Sequence, residues 1–388
     1  MSTQWQEHLK ERQQRLKADS LWRSRRELLS AQQANIHIDG KVLLNFSSND
    51  YLGLANHPEL IEAAKQSLEQ WGVGSGASHL VCGHLEPHHK LEQKIASFVG
   101  AERAVLFSTG YMANLAVATA LTSKRDLILQ DKLNHASLID GARLSDAQFK
   151  RYAHGNVSHA QTILASSRCD KALIMTDGVF SMDGNIAPLI QLKQLSDDHG
   201  ALLFIDDAHG LACMGESGRG ALELAGLTPC ENVLLMGTLG KAVGSFGAFV
   251  AGDALYIEQL IQSARSYIYT TAIPPVVAAT SMASIELIEQ QGTVLRDSLE
   301  RNIEQFKRGA QELGLTLMDS NSAIQPLVLG DEDKALALSA RLYDQGFLVT
   351  AIRPPTVPKG SARLRFTLSA SHSSEQITQL LNALKEAA

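Results

Sequence analysis

ALLFIDDAHG, residues 201–210, and MGTLGKAVGSFGAFV, residues 236–250, are the stretches on which the fold turns. Each is a short apolar run of strand composition that ends on chemistry-bearing groups: Asp206 and His209 in the first, Thr238 and Lys241 in the second. Runs apolar on both faces suit a parallel sheet covered by helices, and such sheets bind ligands beyond the carboxyl ends of their strands. A lysine in a confined, partly desolvated site shifts toward the neutral amine, the form that attacks a carbonyl. A carboxylate against a pyridine nitrogen keeps that nitrogen protonated and makes the ring an electron sink. Lys241 and Asp206 are therefore the candidate anchor and acid for pyridoxal 5'-phosphate. His209 is placed to reach the ring's phenolic oxygen and Thr238 to donate its hydroxyl to the phosphate, while Gly240, Gly244 and Gly247 leave room around the lysine.

The same pattern extends outward along the chain. AVLFS, DLILQ, ALIMTDGVFS, NVLLMGT and GAFVAG read as strands, and segments such as PLIQLKQLSDDHG read as helices between them. The alternation predicts an α/β fold with a large domain, over 46–275, built on a mostly parallel, helix-covered sheet. An N-terminal helical arm is expected over 1–45, charged from Thr3 to about Ser30 and lying on a surface, where a partner subunit could pack. Pro274 and Pro275 punctuate the chain before a long helical stretch to Leu313, interrupted near Gly292. Together with SAIQPLVLG, DKALALSARLYDQG, FLVTAIRP, ARLRFTLS and a final helix, that stretch gives a small α+β domain over 276–388.

Composition excludes several function classes. The 388 residues suit two domains. With 45% hydrophobic residues, 20% charged ones and no apolar run of membrane-spanning length, the chain reads as soluble and globular. A net charge of −6 argues against nucleic acid as a partner. The charged N-terminus lacks the apolar core of a secretory signal, so a cytoplasmic protein is expected. Cys82, Cys169, Cys213 and Cys230 are far apart, without metal-ligand spacing, and are expected as reduced, buried hydrophobes. His84, His88 and His89 cluster in CGHLEPHHKLE; without a fourth well-spaced ligand they are expected as surface residues, and no metal site is expected.

With these residues placed, the chain resembles the fold-type I pyridoxal-phosphate enzymes and, within them, the α-oxoamine synthases. The resemblance spans nearly the whole chain through NFSSNDYLGLANHP, GSGAS, FSTGYMANL, DKLNHASLIDGARLS, TDGVFSMDGNIAPL, IDDAHG, GTLGKAVGS and RLRFTLSASH, in that order. It implies a fold-type I transferase with Lys241 as the Schiff-base lysine, Asp206 at the pyridine nitrogen and His209 at the phenolic oxygen. His135 would stack on the ring, and Gly110 and Tyr111 would lie around the phosphate or ring, at a helix start with free N–H groups. Ser181 and Thr238 would complete that shell. Thr270 or Thr271 would reach the neighbouring subunit's phosphate, making a homodimer with shared sites.

For substrates, the resemblance makes Arg365 the anchor of an amino-acid carboxylate, with Arg363 as alternate, and its planar fork suits that role. Asn49 would lie beside the cofactor, and His135 would assist at a developing oxyanion. AIRPPTVP turns the likeness toward the biotin-pathway branch, which condenses L-alanine with pimeloyl-CoA or pimeloyl-acyl-carrier protein. Thr356 would serve the acyl substrate together with an N-terminal arginine; Trp22 falls where that arginine often stands, and Arg23 follows it. Two other readings stay open: a glycine-using α-oxoamine synthase with a shorter acyl-CoA, of the 2-amino-3-ketobutyrate CoA ligase or 5-aminolevulinate synthase type, and a non-catalytic partner subunit.

Overall fold

The computed structural model describes residues 3–19 and 21–387; Met1, Ser2 and Ser20, all in the expected arm, and Ala388 lie outside the described residues. Thirteen described strands fall into three sheets. In chain order they are β1 (Asn35–Ile38), β2 (Lys41–Asn45), β3 (Arg103–Phe107), β4 (Leu127–Asp131), β5 (Gln148–Tyr152), β6 (Ala172–Asp177) and β7 (Leu202–Asp206). They continue with β8 (Val233–Thr238), β9 (Ala248–Gly252), β10 (Ile324–Gly330), β11 (Phe347–Leu348), β12 (Thr350–Ile352) and β13 (Ala362–Thr367).

The central sheet runs β3-β9-β8-β7-β6-β4-β5. All its pairings are parallel except those of β9, which is antiparallel to both neighbours. Core strands such as β4 and β9 are buried along their whole length, because helices cover both faces and every side chain meets apolar neighbours. The edge strand β5, QFKRY, is not among the expected strands. It is polar and largely uncovered, so it lacks the continuous apolar run that marks its neighbours.

Two three-stranded sheets complete the chain: β1-β2-β11 and β10-β13-β12. The sequence reads FLVTAIRP as one strand, but it divides. Phe347–Leu348 joins β2 in one sheet and Thr350–Ile352 joins β13 in the other, with buried Val349 at the switch. The helix Pro275–Glu312 runs without a break, against the interruption expected at Gly292. That glycine is buried in the helix, and a Cβ there would come within 2.6 Å of Arg296 Nη1. Its smallness serves side-chain packing and not a kink.

Three further expectations need correction. The N-terminal helix spans only Gln4–Ala18, capped by Thr3, and buries none of its residues; Trp5 is 76% exposed. The cysteines are free; Cys82 and Cys230 are exposed, against the expectation of burial, while Cys169 and Cys213 are half-buried and pack against the core. His88 is fully buried and not a surface residue, because its Nδ1 accepts from Leu85 N at 3.0 Å and its Nε2 lies 2.7 Å from Ile273 O. Two hydrogen bonds remove the cost of sequestering an imidazole. Among the described residues, no helix is long and apolar enough to cross a membrane.

Candidate active site

The carboxyl ends of β6, β7 and β8 meet at one level of the sheet, where Asp177 is in register with Asp206 and Asp206 with Met236. Beyond them lies a cavity of about 210 Å³ lined by, among others, Gly110, His135, Asp206, His209, Thr238 and Lys241. Tyr111, Ser181, Asn114, Ser137 and Asp177 also line it. Larger grooves exist, including one of about 1150 Å³ around Asp126, Lys171 and Asn232. That groove lies toward the opposite ends of the parallel strands, so size does not identify the site.

Lys241 sits in the loop after β8, which closes on itself: Gly244 N donates to Lys241 O, and Ser245 N to Leu239 O. Gly244 has φ +69°, and a Cβ would stand 2.6 Å from the backbone carbon of Leu54. Only glycine lets this loop press onto residues 54–55. Burial is the chief cause that pulls Lys241 down from the ordinary lysine range to about 8; Asp206 opposes the shift and Arg365 adds to it. Its Nζ lies 2.7 Å from His209 Nε2. His209 Nδ1 is 2.6 Å from the Tyr51 hydroxyl, which donates to Asn49 Oδ1 at 3.2 Å, and Arg365 Nη2 donates to the same oxygen at 3.1 Å. One hydrogen-bonded chain thus runs from the lysine to the arginine. Burial, then the neighbouring Lys241, holds His209 neutral, well below the usual histidine range.

A second network holds the acid. Asp206 Oδ2 accepts from Asn114 Nδ2 at 2.6 Å and Oδ1 from Ala208 N at 3.1 Å. Asn114 also donates to Ser137 Oγ, which is 2.7 Å from His135 Nδ1. The backbone N–H of His135 donates to both oxygens of Asp177. Burial, then repulsion from Asp206, raises Asp177 well above the carboxylate range. Burial also lowers His135.

The other expected residues divide. Gly110 and Tyr111 begin the helix Gly110–Leu121, capped by Thr109, and both line the cavity at the helix end that favours anions. Thr238 lines the cavity, although its hydroxyl already donates to Gly247 O at 3.0 Å. Thr270 and Thr271 do not line it: Thr270 Oγ1 donates to Ser266 O, and Thr271 is exposed in a bridge to Ser78. Asn49 and Arg365 reach it only through Tyr51 and His209. Arg363 is engaged through Nη1 by Asp183 Oδ1 at 2.7 Å and Met182 O and through Nε by Ser361 O, whereas Arg365 keeps a buried Nε with no partner. Arg23 and Thr356 lie away from the cavity but meet each other at 3.3 Å, and the Trp22 carbonyl accepts from Arg353.

Sequence reasoning passes over Tyr51, Asn114, Ser137 and Asp177. Signals exist for two of them: Tyr51 stands two residues from Asn49, and Asn114 is the lone amide on an otherwise apolar helix, one turn after Gly110. The donor set suits pyridoxal phosphate. The cavity pairs an amine whose pKa burial draws down to about 8 with a carboxyl group that accepts from two donors, and a Cβ on Gly110 would intrude to 3.2 Å from Met236 Cε.

Comparison with known proteins agrees with this chemistry. The model of the family "Aminotransferase class I and II" matches residues 41–384. The chain is 53% identical over 372 residues to the 8-amino-7-oxononanoate synthase of Methylococcus capsulatus, covering 96% of each. Among solved structures it is similar to a serine palmitoyltransferase of S. paucimobilis with bound PLP–myriocin, at TM-score 0.92 and 30% identity over 98% of this chain and 96% of that one. It is also similar to an 8-amino-7-oxononanoate synthase of Francisella tularensis, at TM-score 0.77 and 33% identity over 89% of this chain and 97% of that one.

Proposed function

The chain belongs to the class I and II aminotransferase family and, within it, to the 8-amino-7-oxononanoate synthases, and from that premise we propose how its residues divide the reaction. It is a pyridoxal-phosphate-dependent acyltransferase of biotin biosynthesis. It joins L-alanine to the acyl carbon of a pimeloyl thioester, releasing free thiol and CO₂ and leaving 8-amino-7-oxononanoate. When bound, the cofactor's protonated ring accepts the electron pair left on the amino acid's α-carbon.

The chain's own groups supply the rest. Lys241 Nζ would anchor the cofactor's aldehyde and, with its pKa drawn down to about 8 by burial, is the base that takes the α-proton of alanine. Asp206, oriented by hydrogen bonds from Asn114 Nδ2 and Ala208 N, would hold the proton on the pyridine nitrogen. His209 and Ser181 would orient the ring, the helix start at Gly110 and Tyr111 with Thr238 would seat the phosphate, and His135 would lie against the ring and donate toward the carbonyl oxygen as charge develops. Arg365, with donors left over from Asn49, grips the alanine carboxylate until it departs. Arg23 and Thr356, in mutual contact, hold the distal carboxylate of the pimeloyl chain.

The observation that carries this reading is the coincidence of Lys241, Asp206 and His135 on one buried cavity, with Arg365 tied to it by hydrogen bonds. A retained lysine argues against a non-catalytic partner subunit. The exposed Trp5 and Thr271 fit a homodimer in which Thr270 or Thr271 serves the partner's phosphate. The domain limits 46–275 and 276–388 and a cytoplasmic location belong to the same proposal.

The test is a product assay by mass with L-alanine or glycine, against pimeloyl-CoA, pimeloyl-acyl-carrier protein and acetyl-CoA. Formation of 8-amino-7-oxononanoate from alanine is expected, and the two pimeloyl arms identify the carrier. A preference for glycine with acetyl-CoA would sink the assignment.

A further inference from the structure

The histidine spacing in CGHLEPHHKLE, residues 82–92, does not by itself suggest a metal site, but folding brings the last residue of that stretch, Glu92, to two of its histidines. One nitrogen of His84, one of His89 and one carboxylate oxygen of Glu92 lie within 4.8 Å of one another. His89 and Glu92 are three residues apart on the helix Glu86–Val99, hence on one face, and His84 stands just before that helix. We propose that His84, His89 and Glu92 form a binding site for a divalent transition metal of the zinc class, separate from the cofactor cavity.

The surroundings of the three donors favour this over a chance meeting. His84 uses Nδ1 for His79 Nδ1, 2.8 Å away, which fixes its ring and leaves Nε2 facing Glu92 Oε2 at 3.9 Å. That gap is too long for a hydrogen bond and suits an ion between the two. Glu92 accepts from Leu106 N through its other oxygen, Oε1, at 3.1 Å, so both inner ligands carry the outer hydrogen bond that orients a metal ligand. His79 is in turn stacked on Tyr267 with ring centroids 5.0 Å apart. His89 is exposed, and its Nε2 is 3.0 Å from Gln93 Nε2. Rotation of His89, with His84 and Glu92 closing from 3.9 Å by a few tenths of an ångström, would bring the three donors to the roughly 3.4 Å spacing of a tetrahedron with bonds of about 2 Å.

Two imidazoles and one carboxylate suit zinc, cobalt or nickel and not magnesium or calcium, which take oxygen ligands. A fourth position beside exposed His89 would be left for water. Occupancy would clamp the segment 79–84 to the helix. That segment continues from the stretch tied to residues 271–272, since Ala272 N donates to Ala77 O and Ser78 bridges Thr271.

The test is equilibrium dialysis of the holoenzyme against Co²⁺ and Zn²⁺ with metal counting, alongside the visible spectrum of the Co²⁺ form and the Tm. The inference requires one ion per chain, a four-coordinate Co²⁺ spectrum and a Tm that rises with metal concentration. Because ligand loss exceeds outer-sphere loss, His89→Ala and Glu92→Gln should each weaken binding at least about tenfold. His89→Ala alters only an exposed side chain, so it serves even if Glu92→Gln disturbs the fold. Exposed Cys82 is the competing ligand, and Cys82→Ser should change nothing. No stoichiometric ion in the wild type, binding unchanged in His89→Ala, or binding lost in Cys82→Ser would each overturn the proposal.

Discussion

In the cofactor-free protein Lys241 should capture pyridoxal phosphate with a pH dependence that reports its environment. Burial lowers this amine from 10.5 to about 8. At pH 7 a group of pKa about 8 is roughly one-tenth neutral, against about one part in three thousand at 10.5, so the reactive fraction rises about 300-fold. Two neighbours act in opposite senses: Asp206 supports the charged amine and Arg365 opposes it. Arg365→Met should therefore shift the capture profile to higher pH and Asp206→Asn to lower pH. Mixing apoprotein with pyridoxal phosphate at graded pH, quenching with borohydride and quantifying the Lys241 peptide gives the profile directly. A midpoint at or above 10, or two variants shifted in the same direction, would refute the reasoning.

Other outcomes rest on single contacts. Asn114→Leu removes a charge-assisted hydrogen bond to Asp206, worth roughly 1.5–3 kcal/mol, and should lower kcat/KM about 10- to 100-fold; a value within twofold of wild type would contradict its role. Arg363→Met leaves Asp183 without its partner in a pair whose side chains are 5% and 16% exposed, which should cost about 3 kcal/mol in urea unfolding, largely restored by adding Asp183→Asn. Burial lowers His372 to about 4, so the unfolded chain takes up this proton first as pH falls. The associated stability is fully present above pH 6.5 and is lost as pH drops through about 4, about 3 kcal/mol in all; His372→Gln should flatten that slope, and an unchanged slope would show that another group carries it.

The core strands and the Asp206–Lys241 pair are legible in the sequence because both depend on local pattern: continuous apolar runs ending on polar groups. The edge strand β5 is not, since its composition reflects solvent and not a core. FLVTAIRP looks like one strand because nothing local marks the change of sheet at Val349; the partners, β2 and β13, are distant in sequence. His88 illustrates the same limit, for its partner Ile273 lies 185 positions away. Arg365 can be preferred to Arg363 from the motif, but only folding shows that Asp183 occupies the latter. Tyr51 and Asn114 act through His209 and Asp206, and such intermediary roles have no spacing of their own.

The most direct test of carbon–carbon bond formation at this site counts three products at once. The holoenzyme is given carboxyl-labelled L-alanine and pimeloyl thioester, and labelled CO₂, free thiol and 8-amino-7-oxononanoate are measured. Condensation at the Lys241–Asp206 site predicts all three in equal amounts, with all three lost in Lys241→Ala. Thiol released without labelled CO₂, or turnover that survives Lys241→Ala, would contradict it.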